Sequence, residues 1–133
     1  MTLGKWSLFL EFAKQVSREH LGLWGHIDGN TLEQYLSFHA IHKNLYVTQD
    51  GDGFAFAVVR PVAEPTCVFD WTQPESDLLL LDVLYSKSKK ASLRLLKLYL
   101  DSGRCINNTI YHRNGKFLPW TPKLTKRFFY GLD

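Results

Sequence analysis

The stretch LLLLDVLY, Leu78 to Tyr85, constrains the fold more than any other part of the chain. A short, nearly continuous apolar run, lacking the polar alternation of a half-buried strand, is what a strand covered on both faces at the middle of a sheet requires. It therefore demands layers of structure above and below it. It also carries one charge, Asp82. A carboxylate without a partner is costly in such surroundings, so Asp82 is expected to be paired, shifted in acidity, or turned into a cleft.

The remaining segments supply the layers. Trp6, Phe9, Ala13 and Val16 recur at helical spacing, which predicts a helix from Leu3 to Arg18 packed by one face. Gly22, Gly25, Asp28, Gly29 and Asn30 mark a loop that holds His20 and His26. Asn30 and Glu33 read as a capping pair opening a second helix, Thr31 to His42, on which His39 and His42 are more often a partly exposed face than a metal pair. LYVTQD and FAFAVVRPV flank Gly51, Asp52 and Gly53, a strong hairpin signal, and Thr66 to Trp71 is open as a further strand. Thr72 to Asp77, with Pro74, reads as a loop.

After the apolar strand, Leu93, Leu96 and Leu100, joined by Leu95 and Tyr99, predict a helix from Lys89 to Asp101 that stops at Gly103. Cys105 to His112 reads as a strand closed by an Asn114-Gly115 turn. Thr121 and Pro122 open a short helix ended by Gly131. The order predicts an α/β architecture of the α+β kind: one domain over residues 1–133, with a mixed, mainly antiparallel central sheet flanked by helices.

Composition narrows the function classes. The chain has 133 residues, 45% apolar and 22% charged, which suits one globular domain and argues against disorder. A net charge of +3 is too small to indicate nucleic acid by itself, although Lys87, Lys89, Lys90 and Arg94 form one basic patch, and Lys123, Lys126 and Arg127 another. Cys67 and Cys105 lack metal-ligand spacing and are too few for a disulfide framework. Lys5, Glu11 and Lys14 make the N-terminal segment an amphipathic helix rather than a signal or membrane span, so a reduced, cytoplasmic protein is expected.

The same element order is similar to the GNAT-type acyltransferase fold, in which a hairpin precedes a central strand. The helix after that strand then points its N-terminus at the coenzyme A pyrophosphate. Three segments resemble one branch more closely, the bacterial toxin-activating lysine acyltransferases, which take the acyl group from acyl carrier protein. HAIHKNLYVTQDGDGFAFAVVR looks like that family's helix end and hairpin, LLLLDVLYSKS like its central strand bearing an aspartate, and YHRNGKFLPWTPKLTKRFF like its tail. The segment between hairpin and central strand is shorter than in either family. SKSKKAS, without glycine, replaces the Gly-rich pyrophosphate loop, which points away from acetyl-CoA.

The resemblance implies an acyltransferase moving an acyl group from acyl-CoA or acyl carrier protein to an amine, such as a protein lysine. It places catalysis at Asp82, the functional aspartate of the matching strand, and at His26, whose spacing to Ala40-Ile41 is within a residue of that family's essential histidine. Tyr111 and His112 offer a general acid. Tyr85, Ser86, Lys87, Ser88, Lys89, Lys90 and Ser92 combine hydroxyls, backbone N–H groups and cations at a helix start, which suits the carrier's phosphate. No metal is expected. Under this reading Asp82→Asn spares the fold and abolishes turnover. The competing expectation is a catalytically silent module of the same fold, of phage or mobile-element type, that contacts a protein or, less favoured, nucleic acid through its aromatic-basic tail. A homodimer remains open.

Overall fold

The computed structural model describes residues 2–19, 27–65, 70–113 and 115–121. Helix α1 spans Leu3–Glu19 and α2 spans Gly29–Ile41; the hairpin strands are β1, Leu45–Asp50, and β2, Gly53–Pro61. The apolar run forms β3, Leu79–Tyr85, followed by α3, Lys89–Asp101. A 3₁₀ turn, Ile106–Asn108, then leads into β4, Thr109–Arg113, and β5, Lys116–Pro119. The strands form one sheet in sequence order, β1 to β5. Every neighbouring pair is antiparallel except β3 and β4, which run parallel because α3 carries the chain back between them.

Strand β2 explains the layering. Phe54, Phe56 and Val58 point to one face, where Phe9, Ala13 and Val16 of α1 and Leu32 and Leu36 of α2 cover them. Ala55 and Val59 point to the other, against Ala91, Leu95 and Tyr99 of α3. Each large side chain buried in this way contributes roughly 1.5–3 kcal/mol, which is why β2 and β3 tolerate so few polar residues. The hairpin packs closely on α1: a Cβ on Gly53 would lie 2.5 Å from the Phe12 ring, so only glycine fits that strand start without displacing the ring.

The ladder between β2 and β3 slips once. Val58 pairs with Val83, but Val59 pairs with Leu81, which leaves Asp82 as the extra residue of a β-bulge. Strict alternation would send Asp82 and Val83 to opposite faces. Instead Val83 joins the core under α1 and α2, and Asp82 reaches Tyr35 of α2. At the β1 margin of the sheet, Arg94 of α3 donates from Nη2 to the Gln49 carbonyl at 2.6 Å and from Nε to Thr48 at 3.3 Å.

Several expectations change. The cap of α2 is Asp28, which accepts from the Thr31 N–H at 2.9 Å, rather than Asn30 with Glu33. Two more bonds than the pattern required hold it there, because the Thr31 hydroxyl also donates to Asp28 at 2.8 Å and the Leu32 N–H to its carbonyl at 3.0 Å. The strand read from Cys105 begins only at Thr109, since residues 106–108 close a 3₁₀ turn. Strand β5 follows the Gly115 turn, where the sequence pattern gave no strand. Residues 66–69 of the optional strand, and the helix begun at Pro122, lie outside the described residues, while Asp70 and Trp71 belong to no strand. No described helix is long and apolar enough to cross a membrane.

Candidate functional site

The bulge and the hairpin bring two charges together in the core. Arg60 follows Val59 on β2 and turns toward α2, where its Nε donates to Asp82 Oδ2 at 2.9 Å. The Tyr35 hydroxyl donates to the same oxygen. Exposure is 1% for the Arg60 side chain and 9% for Asp82, so this is a desolvated ion pair closed by a phenol. Burial, and then the negative charge of Asp82, push the Tyr35 hydroxyl far above the usual tyrosine range, so the phenol stays protonated and remains a donor.

A second set of polar side chains adjoins the first. Asn44, fully buried between α2 and β1, donates from its amide nitrogen to His39 Nδ1 at 2.9 Å and to Gln73 Oε1 at 2.8 Å. Its amide oxygen accepts from Arg104 Nη2 at 2.5 Å, while Arg104 Nη1 donates to the Val59 carbonyl at 2.6 Å, beside the bulge. Its backbone is also bonded, N–H to the His39 carbonyl and carbonyl to the Val59 N–H. His39 Nε2 meets the Asp70 carbonyl at 2.8 Å. Burial, partly opposed by that carbonyl, holds the His39 ring below the usual histidine range. Arg60 also lines a polar cleft of about 280 Å³ with Val62, Glu64, Asp70, Thr72 and Pro74.

The opposite face of the sheet holds a different cavity. Pairing between β3 and β4 covers only Leu79 to Leu81 against Thr109 to Tyr111, after which β3 runs on to Tyr85 without β4. An apolar pocket of about 60 Å³ opens there, lined by Ala57, Val59, Leu81, Leu84, Leu96 and Trp120 among others. Leu84 is 40% exposed at its mouth.

Among the described residues, those singled out by sequence do not gather at one place. Asp82 lies under α2 and is paired, so the charge is satisfied rather than presented to an open cleft. Tyr111 pairs with Leu81, which packs on the α3 side, so the sheet separates it from Asp82; its ring lies 6.3 Å from that of Trp120. His112 packs on Phe117 with ring centroids 5.2 Å apart. His26 and His20 lie outside the described residues. His39 and His42 form no shared face: the first is buried and the second exposed. No cluster of metal-ligating side chains occurs among the described residues.

The loop before α3 keeps its polar groups largely to itself. Tyr85 sits in the core, its ring 5.8 Å from Phe56 and 5.9 Å from Phe12, so it does not reach the loop surface. Ser86 donates to the Ser88 carbonyl at 3.0 Å, and Ser92 donates to Ser86 at 2.9 Å. Ser88 caps α3 through the Ala91 N–H at 3.1 Å and donates to Asp50 at 3.2 Å. That carboxylate works against an anion at this spot. Lys87, Lys89 and Lys90 are exposed, and no ion pair holds them among the described residues.

Sequence reasoning missed Tyr35, Arg60, Asn44 and Arg104. Arg60 had a signal: it is the lone charge in FAFAVVRPV, as Asp82 is in LLLLDVLY, and two opposite charges in two buried strands call for each other. Asn44 and Arg104 had none, being ordinary polar residues beside helix ends. Compared with models of known protein families, with curated proteins and with solved structures, the chain matches none.

Proposed function

We propose that the chain is an acyltransferase of GNAT-like architecture that moves an acyl group from a thioester carrier to an amine, with the donor entering where β3 and β4 part. The observation that carries the reading is the apolar pocket at that parting, lined along α3 from Ser92 to Tyr99 and open at Leu84. Parallel strands that separate after three residue pairs leave backbone and apolar side chains facing a shared gap, and a thioester's acyl end suits such a gap. In this reading the amine attacks the thioester carbonyl, a base removes the amine's proton, and the thiolate leaves with a proton from a nearby acid. Tyr111, on the pocket's side of the sheet, is the proposed acid and His26 the proposed base. Asp82 serves by holding Arg60 and Tyr35, and thereby the bulge, in place.

The full-length chain with acetyl-CoA, a long-chain acyl-CoA and acylated carrier protein, followed by thermal shift, tests the reading, since a ligand bound only to the native state raises its stability. At a donor concentration of about 100 times Kd the stabilisation is about 2.7 kcal/mol. Leu84→Glu, which puts a charge at the pocket mouth, removes the shift. A second reading, a non-catalytic binding module of the same architecture, is favoured by the pairing of Asp82 and by the mutual bonding of the loop hydroxyls. Absence of a shift with all three donors selects it.

A further inference from the structure

The segment from Asp70 to Pro74 belongs to no helix or strand, yet it borders the cleft that reaches Arg60. Side chains outside the segment hold it. His39 Nε2 meets the Asp70 carbonyl at 2.8 Å, Asn44 Nδ2 meets Gln73 Oε1 at 2.8 Å, and Trp71 packs edge-on against Tyr35 with ring centroids 6.0 Å apart. His39 and Asn44 also bond to each other, so the two polar anchors act as one unit.

The proton positions in that unit follow from its partners. An arginine can only donate, so the Asn44 amide oxygen must face Arg104 and its amide nitrogen must face His39. The nitrogen donates to Nδ1, which therefore carries no proton, while Nε2 carries one and donates to the Asp70 carbonyl. The arrangement accepts only a neutral imidazole. Around it stand Tyr35, Phe38 and His42 on its own helix, Arg60 on β2, Asp82 on β3, Asn44 ahead of β1, Arg104 after α3, and Asp70 with Gln73 in the segment itself.

We propose that residues 70–74 form a strap released by protonation of His39, which opens the cleft toward the Arg60–Asp82 pair. A proton on Nδ1 turns that atom into a donor facing the Asn44 amide donor. The amide cannot flip to accept it without turning its NH₂ onto Arg104. If the ring swings away, the Asp70 bond is lost; if the amide turns away, the Gln73 bond is lost. Each accommodation removes an anchor of the strap. Burial makes the ring less basic than a free imidazole, so the closed strap has its full strength above about pH 6.5 and loses it as pH falls below that value. The device stands independently of the acyltransferase reading, because it needs no donor.

Nuclear magnetic resonance of the full chain tests it. Following the His39 ring and the Trp71 indole from about pH 7.5 to about pH 5, we expect one shared midpoint below the free-imidazole value and loss of the Trp71–Tyr35 ring contact beneath it. His39→Gln keeps one donor and one acceptor but takes up no proton, and in it the Trp71 signal and the contact stay unchanged. A ring contact that persists below the His39 midpoint overturns the proposal, as does the same loss in His39→Gln. Should that variant fail to fold, separate midpoints for His39 and Trp71 in the unaltered chain overturn it equally.

Discussion

One oxygen of Asp82 accepts from both Tyr35 and Arg60, and neither charge has the exposure to be solvated in the other's absence. Such a pair is weak evidence for net stabilisation over apolar residues, but breaking it from one side leaves a buried guanidinium without its counter-charge. Asp82→Asn is therefore expected to destabilise the protein by about 3 kcal/mol in urea unfolding, contrary to the reading in which it touches chemistry alone. Asp82→Asn combined with Arg60→Met should recover much of that loss, and a double variant no better than the single one argues against pairing as the cause. That Asp82 needed pairing, a shift in acidity or a cleft was legible in its apolar surroundings, and the structure selects pairing. Which partner was not, because the bulge that turns Asp82 and Val83 toward the same side is a matter of register, and the β3 run repeats leucine with nothing to mark where it slips.

At the scale of elements, the end of α2 illustrates how a local cost is retained for position. Lys43 has φ 59°, in the left-handed region, and the turn it makes places Asn44 between His39, Gln73 and Arg104. A side chain in that conformation costs roughly 1–2 kcal/mol, whereas glycine gives back only about 0.5–1 kcal/mol of it through its freer unfolded chain. Lys43→Gly should thus raise stability by up to about 1.5 kcal/mol, read as a higher urea midpoint with an unchanged slope. The longer elements were legible because their periodicity repeats over several turns or pairs: α1, the hairpin, β3 and α3 lie within a residue of expectation. The short ones were not. Strand β5 has four residues, one of them proline, and exists because β4 offers it a partner. Asp28 and Asn30 are both good caps, and only the bonds formed in three dimensions select between them.

Over the whole molecule, the mixed sheet flanked by helices follows from two strands that are apolar on both faces, and the sequence carries that requirement plainly. It does not carry the division of polar residues between the faces, which sets Tyr111 apart from Asp82 and puts the polar cleft and the apolar pocket on different sides of β2 and β3. Sheet order leaves β1 at one margin, and there the Arg94 guanidinium occupies the Gln49 carbonyl. A margin strand whose carbonyls are unoccupied is a template on which another chain can add itself. Arg94→Ala should change unfolding stability by no more than about 1 kcal/mol while speeding the rise of light scattering in concentrated samples; equal scattering would show that the side chain guards nothing. Faster scattering would mean instead that the molecule's solubility depends on one cation that contributes little to its folding, and that a substitution harmless in a dilute melting curve shows its effect only in a crowded solution.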